Sequence, residues 1–488
     1  MRNRFEQQTS LDIKPIGETP VLLKSRHAIP ALVKALLVIY NTESHFKQIL
    51  DILEERILSG KKKTGRKGLN LWQIFVLAQF RLALNLSYDQ LHYMAFSDST
   101  LRQLIGIERE SGFKSEDISY QRIIDNVQLL DDETLIRIND VIVKFGHDIF
   151  KKKEEEALRV KTDSFVVESN VHFPTDYNLL WDSSRKAVDT ISWFTDKYPK
   201  IKHWRKLNDW HKSLKNLSRA VGQSSSGGGK DKDKRMKYAG HKYLTKARAF
   251  RDKLELSRKD LPIIELIDLS KIVELERFTA LINKHIDLVE RRIIKGEKIP
   301  HEEKLFSIFE EYTEWIKKGK SRPNVELGKK VSITTDHFGL ILDYVVMENE
   351  SDSQIVQSTA ERLLSKYVLK SWSFDKGYWH KENKELLSLF VEELIMPKKG
   401  KPNKQEIKEE HAPNFKKLRN KHSAVESNIN ELEHRGLDRC PDKGYHGFKR
   451  YIGIGIVAYN LRRIGRELIN QELKKQTKIK RRNIKLAA

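Results

Sequence analysis

Tyr367, Val368, Leu369 and Trp372 make an apolar, β-prone approach that runs into Asp375, and Gly377 follows two residues on. A run of this kind reads as a buried strand that carries a carboxylate to its carboxyl-terminal end, where open α/β sheets place their sites. Strand-like runs are few in this chain. Residues 160–167 are β-rich, with Asp163 in the middle, and residues 330–347 read as two strands joined by a turn at residues 336–339. Most of the rest has helical periodicity. The expected fold class is therefore α/β, a mixed sheet flanked by helices.

Charge narrows the partner. The 488 residues carry 91 Lys and Arg against 68 Asp and Glu, a formal net charge of +23, and the pI is about 9.6. A field of that sign implies a polyanion, of which nucleic acid is the common case and an acidic membrane surface the rival. No apolar run approaches the roughly 18 residues a spanning helix needs. The first residues lack the apolar core of a signal peptide. Cys440 is the lone cysteine, which excludes an internal disulfide framework and a cysteine zinc cluster. The expectation is a cytoplasmic, nucleoid-associated protein with no membrane partner.

Along the chain, residues 1–65 read as an arm, a helical stretch from about Ile29 to Leu53, and a basic linker at residues 61–68. Residues 66–156 read as short helices joined by tight turns, with Ser87 and Asp131 opening two of them. Arg102, Arg109 and Arg122 are expected to be exposed there, which fits a helix-turn-helix reader of duplex DNA; a helical packing domain fits equally well. Residues 183–322 form a Lys- and Arg-rich helical insertion with a flexible Gly/Ser/Lys loop near 222–235. Its tryptophans are either DNA-stacking groups or core. Residues 471–488 are a basic tail. With the insertion set aside, residues 157–182 and 323–470 give strand with Asp163, hairpin, helix, strand with Asp375, helix, strand, and a helix with Glu426.

Two strand-borne aspartates and a helix-borne glutamate on a mixed sheet are the arrangement of the RNase H-like fold. Hard divalent cations take oxygen ligands, and Mg²⁺ needs only one or two carboxylates per ion beside substrate phosphates. Two ions about 3.5–4 Å apart serve the attacking and leaving oxygens of a phosphodiester. The candidate catalytic and metal-ligating residues are Asp163, Asp375 and Glu426, with Mg²⁺ as the cofactor, two ions per site, and Mn²⁺ as its substitute.

The motifs also resemble a known family. Residues 163–182, residues 374–378 (Phe-Asp-Lys-Gly-Tyr) and residues 425–440 are similar, in order, to the first-aspartate, second-aspartate and glutamate segments of bacterial insertion-sequence DDE transposases. Residues 455–461 resemble the closing helix of these enzymes, and residues 86–107 resemble the amino-terminal helical domain of one large branch. The resemblance implies an endonuclease and strand-transfer enzyme. It would cleave at the terminal inverted repeats of its own element and join the freed 3′-hydroxyl to target DNA. It would work on double-stranded DNA as a homodimer or larger assembly. Where many relatives place an Arg one turn before the glutamate and a Lys two turns after it, this chain has His422 and Glu433; Arg419 and Lys421 are the candidates to replace them. Candidate DNA-contacting residues are Arg102, Arg122, Lys376, Arg419, Lys421 and His422. Glu433 is the rival third acid; Glu168 and Asp176 read as supporting or capping groups and Asp336 as a turn residue. Two alternatives stay open: an RNase H-like nuclease without strand transfer, and an inactive relic that only binds DNA.

Overall fold

The structure, a computed structural model, describes residues 2–5, 12–61, 68–110, 117–153, 156–201, 204, 206–317 and 324–487. Most of the basic linker (62–67) and Glu154 and Glu155 lie outside the described residues. The chain forms two compact units: Met1–Asn170 with Ile316–Ala488, and Val171–Trp315. The helical unit thus begins at Val171, ahead of the boundary read from the sequence.

The first unit opens with α1 (Ala28–Asn41), α2 (Glu43–Ile57), α3 (Leu71–Ala83), α4 (Tyr88–Ser97), α5 (Ser99–Leu104), α6 (Tyr120–Val127) and α7 (Asp132–Ile149), followed by β1 (Leu158–Ser169). Caps set several of these starts. Asn70 and Ser87 make capping boxes with Gln73 and Gln90, and Asp131 accepts from the Thr134 N–H. The segment before α1 is no loose arm where it is described. Lys14 N–H donates to Glu108 O, Glu110 N–H donates to Asp12 O, and Ile16 is buried.

The second unit holds α8 (Asp176–Lys197), α9 (Leu207–Ser226), α10 (Lys232–Arg258) and α11 (Leu266–Val289). Each packs on the next and α11 returns to α8, so the apolar faces close on one core. Most of the loop expected near 222–235 is helix: Ser224 to Ser226 end α9 and Lys232 begins α10. Trp204 is buried, and Trp181, Trp193 and Trp210 pack on the same core, in keeping with the packing reading.

The chain then gives β2 (Glu314–Lys317), β3 (Val325–Thr335), β4 (Ile341–Val346), α12 (Val356–Leu364), β5 (Leu369–Phe374), α13 (Lys381–Ser388), β6 (Glu393–Ile395), α14 (Lys404–His411), α15 (Pro413–Leu432), β7 (Arg439–Cys440) and α16 (Tyr445–Ala487). The strands form one open mixed sheet in the order β2-β3-β1-β5-β6, with β4 paired to β3 and β7 to β1. β3 runs antiparallel to both β1 and β4; β5 is parallel to β1 and to β6. Val160, Trp372, Phe374, Leu387 and Val391 fill the core on one side of β1 and β5. Across the strands, Trp372 Nε1 donates to Thr162 Oγ1 at 2.7 Å. The other side meets α15, which packs on β1, β5 and β6.

α16 changes the domain picture. Its residues 451–461 are buried throughout, and it packs against α1, α3 and α7. A helix apolar all round must be enclosed, so the amino-terminal helices and the sheet share one unit. The basic tail from Lys474 continues α16 as helix to Ala487.

Candidate functional site

Register brings the two aspartates together. Thr162 of β1 lies opposite Phe374, the last residue of β5. One residue further along, Asp163 continues in β1 beside Asp375, which leaves the sheet at the β5 end; neighbouring strands are about 4.8 Å apart. Asp375 is exposed and Asp163 is half-buried. Glu426 projects from α15, and its charge is felt at Asp163, as are those of Asp375 and Asp352. Burial is the largest cause that pushes the Asp163 carboxyl up, to about 6. The three like charges add to it, and the Ser164 N–H, which donates to Asp163 Oδ1 at 2.8 Å, opposes it.

A cleft of about 560 Å³ is lined by Asp163, Lys330, Glu426, Asn430 and Glu433, together with Ile316 and Lys317. Glu433, the rival acid, therefore shares the cleft with Glu426. Glu431 does not, since it pairs with Arg462 and with Arg466 at 3.2 Å. The Glu426 charge is felt at Asp163. Asp375 is not part of this wall.

Two groups near the acids are not among the residues singled out from the sequence. Asp352, in the loop between β4 and α12, accepts from Ser164 Oγ at 2.8 Å and pairs with Lys330 Nζ at 3.0 Å. Its surroundings, Glu350 to Ser353, carry no motif, and only tertiary folding brings it to β1. Lys161 lies two residues before Asp163, hence on the same face of β1; the alternation of residues 160–163 was the available signal. Burial lowers the Lys161 pKa; Asp336 opposes this and Lys421 adds to it, which places Lys421 of α15 near the same face.

His422 stands beside Asp375. Its Nδ1 is 3.0 Å from Ser373 Oγ, and its buried Nε2 has no hydrogen-bond partner among the described residues. Burial lowers its pKa, against the pull of Asp375. Arg419 and Lys421 are exposed on α15, and Lys376 is exposed next to Asp375.

Arg102, Arg109 and Arg122 are less exposed than the sequence suggests. Arg102 is buried; its Nε pairs with Glu108 at 2.8 Å and its Nη1 donates to Ala95 O at 3.0 Å. The guanidinium thus satisfies carbonyls at the α4 end and is not available to DNA. Arg122 is half-buried with Nη2 donating to Gly68 O at 3.2 Å, and Arg109 pairs with Asp12. Asp336 accepts from the Phe338 and Leu340 N–H groups and meets His147 at 2.8 Å, as a turn residue. Asp176 opens α8 and pairs with Arg292 at 3.0 Å.

As a donor set, Asp163, Asp375 and Glu426 are all oxygen, the chemistry of a hard divalent ion. The mutual repulsion felt at Asp163 is what a cation would relieve. Among the described residues, however, no three His, Cys, Asp or Glu side chains stand close enough to form a ready ligand group. No helix is long and apolar enough to cross a membrane among the described residues. No protein-family model, no curated protein and no solved structure matches this chain.

Proposed function

We propose that the chain is a DDE-type DNA transposase with an RNase H-like catalytic sheet. The observation that carries this reading is the placement of Asp163 beside Asp375, with the Glu426 charge reaching Asp163 from α15. The strand path β4-β3-β1-β5-β6, an antiparallel hairpin leading to parallel strands, supports the fold assignment.

In this reading Asp163, Asp375 and Glu426 would hold a pair of Mg²⁺ or Mn²⁺ ions. Such ions, when bound, supply charge stabilisation to the attacking and leaving oxygens of a phosphodiester. The chain's own groups do the rest. Lys161, Lys421 and Arg419 give the face of β1 and α15 a positive border suited to backbone phosphates. His422 steers Ser373 and, through its free Nε2, offers a donor or acceptor next to Asp375. Asp352, anchored by Lys330, holds Ser164 and so fixes the β1 backbone at Asp163. The substrates are the inverted repeats of its own element and a target duplex, brought together by at least two copies.

The test is cleavage and strand joining on DNA bearing the sequences that flank the coding region, with Mg²⁺ and with chelator. Wild type is expected to cut and join only with metal. Asp163→Asn, Asp375→Asn and Glu426→Gln are each expected to bind DNA normally and lose about 10²–10³-fold or more in rate. Activity retained by Glu426→Gln but lost in Glu433→Gln would move the third ligand to Glu433. Cutting without joining would make the protein a nuclease, and no cutting with any divalent ion would sink the enzymatic reading.

A further inference from the structure

At the end of the helical unit, where α10 gives way to α11, apolar side chains face solvent that helical packing would be expected to cover. Ile263, Ile264, Leu266, Ile267, Leu269 and Val273 are 45% to 85% exposed. The turn that presents them is fixed from within. Asp268 is fully buried and accepts from the N–H groups of Ile264 (2.9 Å) and Glu265 (2.7 Å), from Lys197 Nζ (2.7 Å) and from the Tyr198 hydroxyl (2.7 Å). Its carboxyl is accordingly held far below the usual range, with these hydrogen bonds outweighing the opposing effect of burial. On α11, Ile272, Leu275 and Phe278 face the unit's own core. Leu266, Leu269 and Val273 therefore form a second apolar stripe on the same helix, presented in a rigid frame.

Area and charge decide what covers it. At roughly 110 Å² each, six such side chains expose about 650 Å², above the 300–600 Å² of the largest patch on an ordinary monomer. That is close to the ~800 Å² each partner gives to a stable protein interface. The local charge is close to balance, with Lys197 standing at Glu265 (3.1 Å) and at the buried Asp268 (2.7 Å). Residues 255–277 hold six acids to four basic groups, and no Lys or Arg falls between Asp260 and Ser270. Such a surface lacks the excess of cations that would hold DNA or acidic lipid. An apolar ridge matches itself across a two-fold axis, the commonest way for like chains to pair. It also places a nearly neutral segment of each +23 chain at the contact, where like chains repel least.

We propose that this ridge is the contact between two copies of the chain. The proposal does not depend on the transposase reading and is tested without DNA, by sedimentation equilibrium of the full chain. Wild type is expected to dimerise with a Kd of about 10 µM or tighter. Leu266→Glu and the double variant Leu266→Glu/Val273→Glu are expected to weaken it by about tenfold or more. Leu389→Glu, an equally exposed apolar position on the other unit, is expected to leave it unchanged. All three sites point to solvent, so helical content by circular dichroism should match wild type. A wild type that stays monomeric, or a dimer that neither ridge variant disturbs, overturns the proposal. So does co-sedimentation with phosphatidylcholine vesicles that is lost in Leu266→Glu, which would assign the ridge to lipid.

Discussion

His285 is fully buried in the helical unit, and among the described residues neither of its ring nitrogens has a hydrogen-bond partner. Burial drives its pKa down to about 4, Asp176 and Asp182 pull the other way, and Lys284 adds to the depression. The consequence for stability has a definite sign. Above the ordinary value of 6.5 both folded and unfolded forms hold a neutral ring. As pH falls from 6.5 towards 4, only the unfolded chain takes up the proton, so stability is lost across that window. One proton gives a slope of up to about 1.4 kcal/mol per pH unit. His285→Leu removes both the slope and the unsatisfied nitrogens. It should raise stability by about 1–3 kcal/mol, with a larger gain near pH 5 than near pH 7.5. Urea unfolding at the two pH values checks this; a variant as acid-sensitive as wild type would show that His285 is not the titrating group.

Between elements, the helices of the first unit approach closely at Gly465 of α16. A Cβ built there would lie 1.7 Å from the carbonyl oxygen of Ala31 in α1, a backbone atom that cannot swing aside. Gly465→Ala must push the two helices apart, at a cost of about 1–3 kcal/mol or more, and thermal unfolding should show a fall of several degrees, about 2–4 °C per kcal/mol. An unchanged melting temperature would mean that α1 and α16 are not in backbone contact. This helix pair also shows where the sequence stops being readable. Local signals were legible: Ser87 and Asp131 mark the starts of α4 and α7, and the runs that end at Asp375 and pass through Asp163 are strands. Groups whose role depends on distant neighbours were not. Arg102 on a short helix reads as exposed, and it is buried because the α4 carbonyls need a donor. Asp352 reads as loop, and Lys330 and Ser164 bring it to β1. β7 is two residues long and pairs with β1 only after α15 has turned back.

At the scale of the whole molecule, the split into two units makes a claim about folding. Val171–Trp315 has a core of its own, in which Leu180, Ile191, Tyr243, Phe250 and Ile282 are buried. A domain of that size buries roughly two thirds of its unfolded surface, enough for independent stability. Five of the eight tryptophans, Trp181, Trp193, Trp204, Trp210 and Trp315, lie in it, so its unfolding reports strongly in fluorescence. Expressed alone, residues 171–315 are expected to be helical and to unfold in one cooperative transition, with fluorescence and circular dichroism coincident. The acid sensitivity set by His285 should travel with the fragment, because its neighbours Asp176, Asp182 and Lys284 all belong to the same unit. If the fragment instead melts without a cooperative transition, its core depends on the rest of the chain. The His285→Leu effect would then be absent from the fragment and present only in the full protein, which separates failure of the unit from failure of the histidine argument.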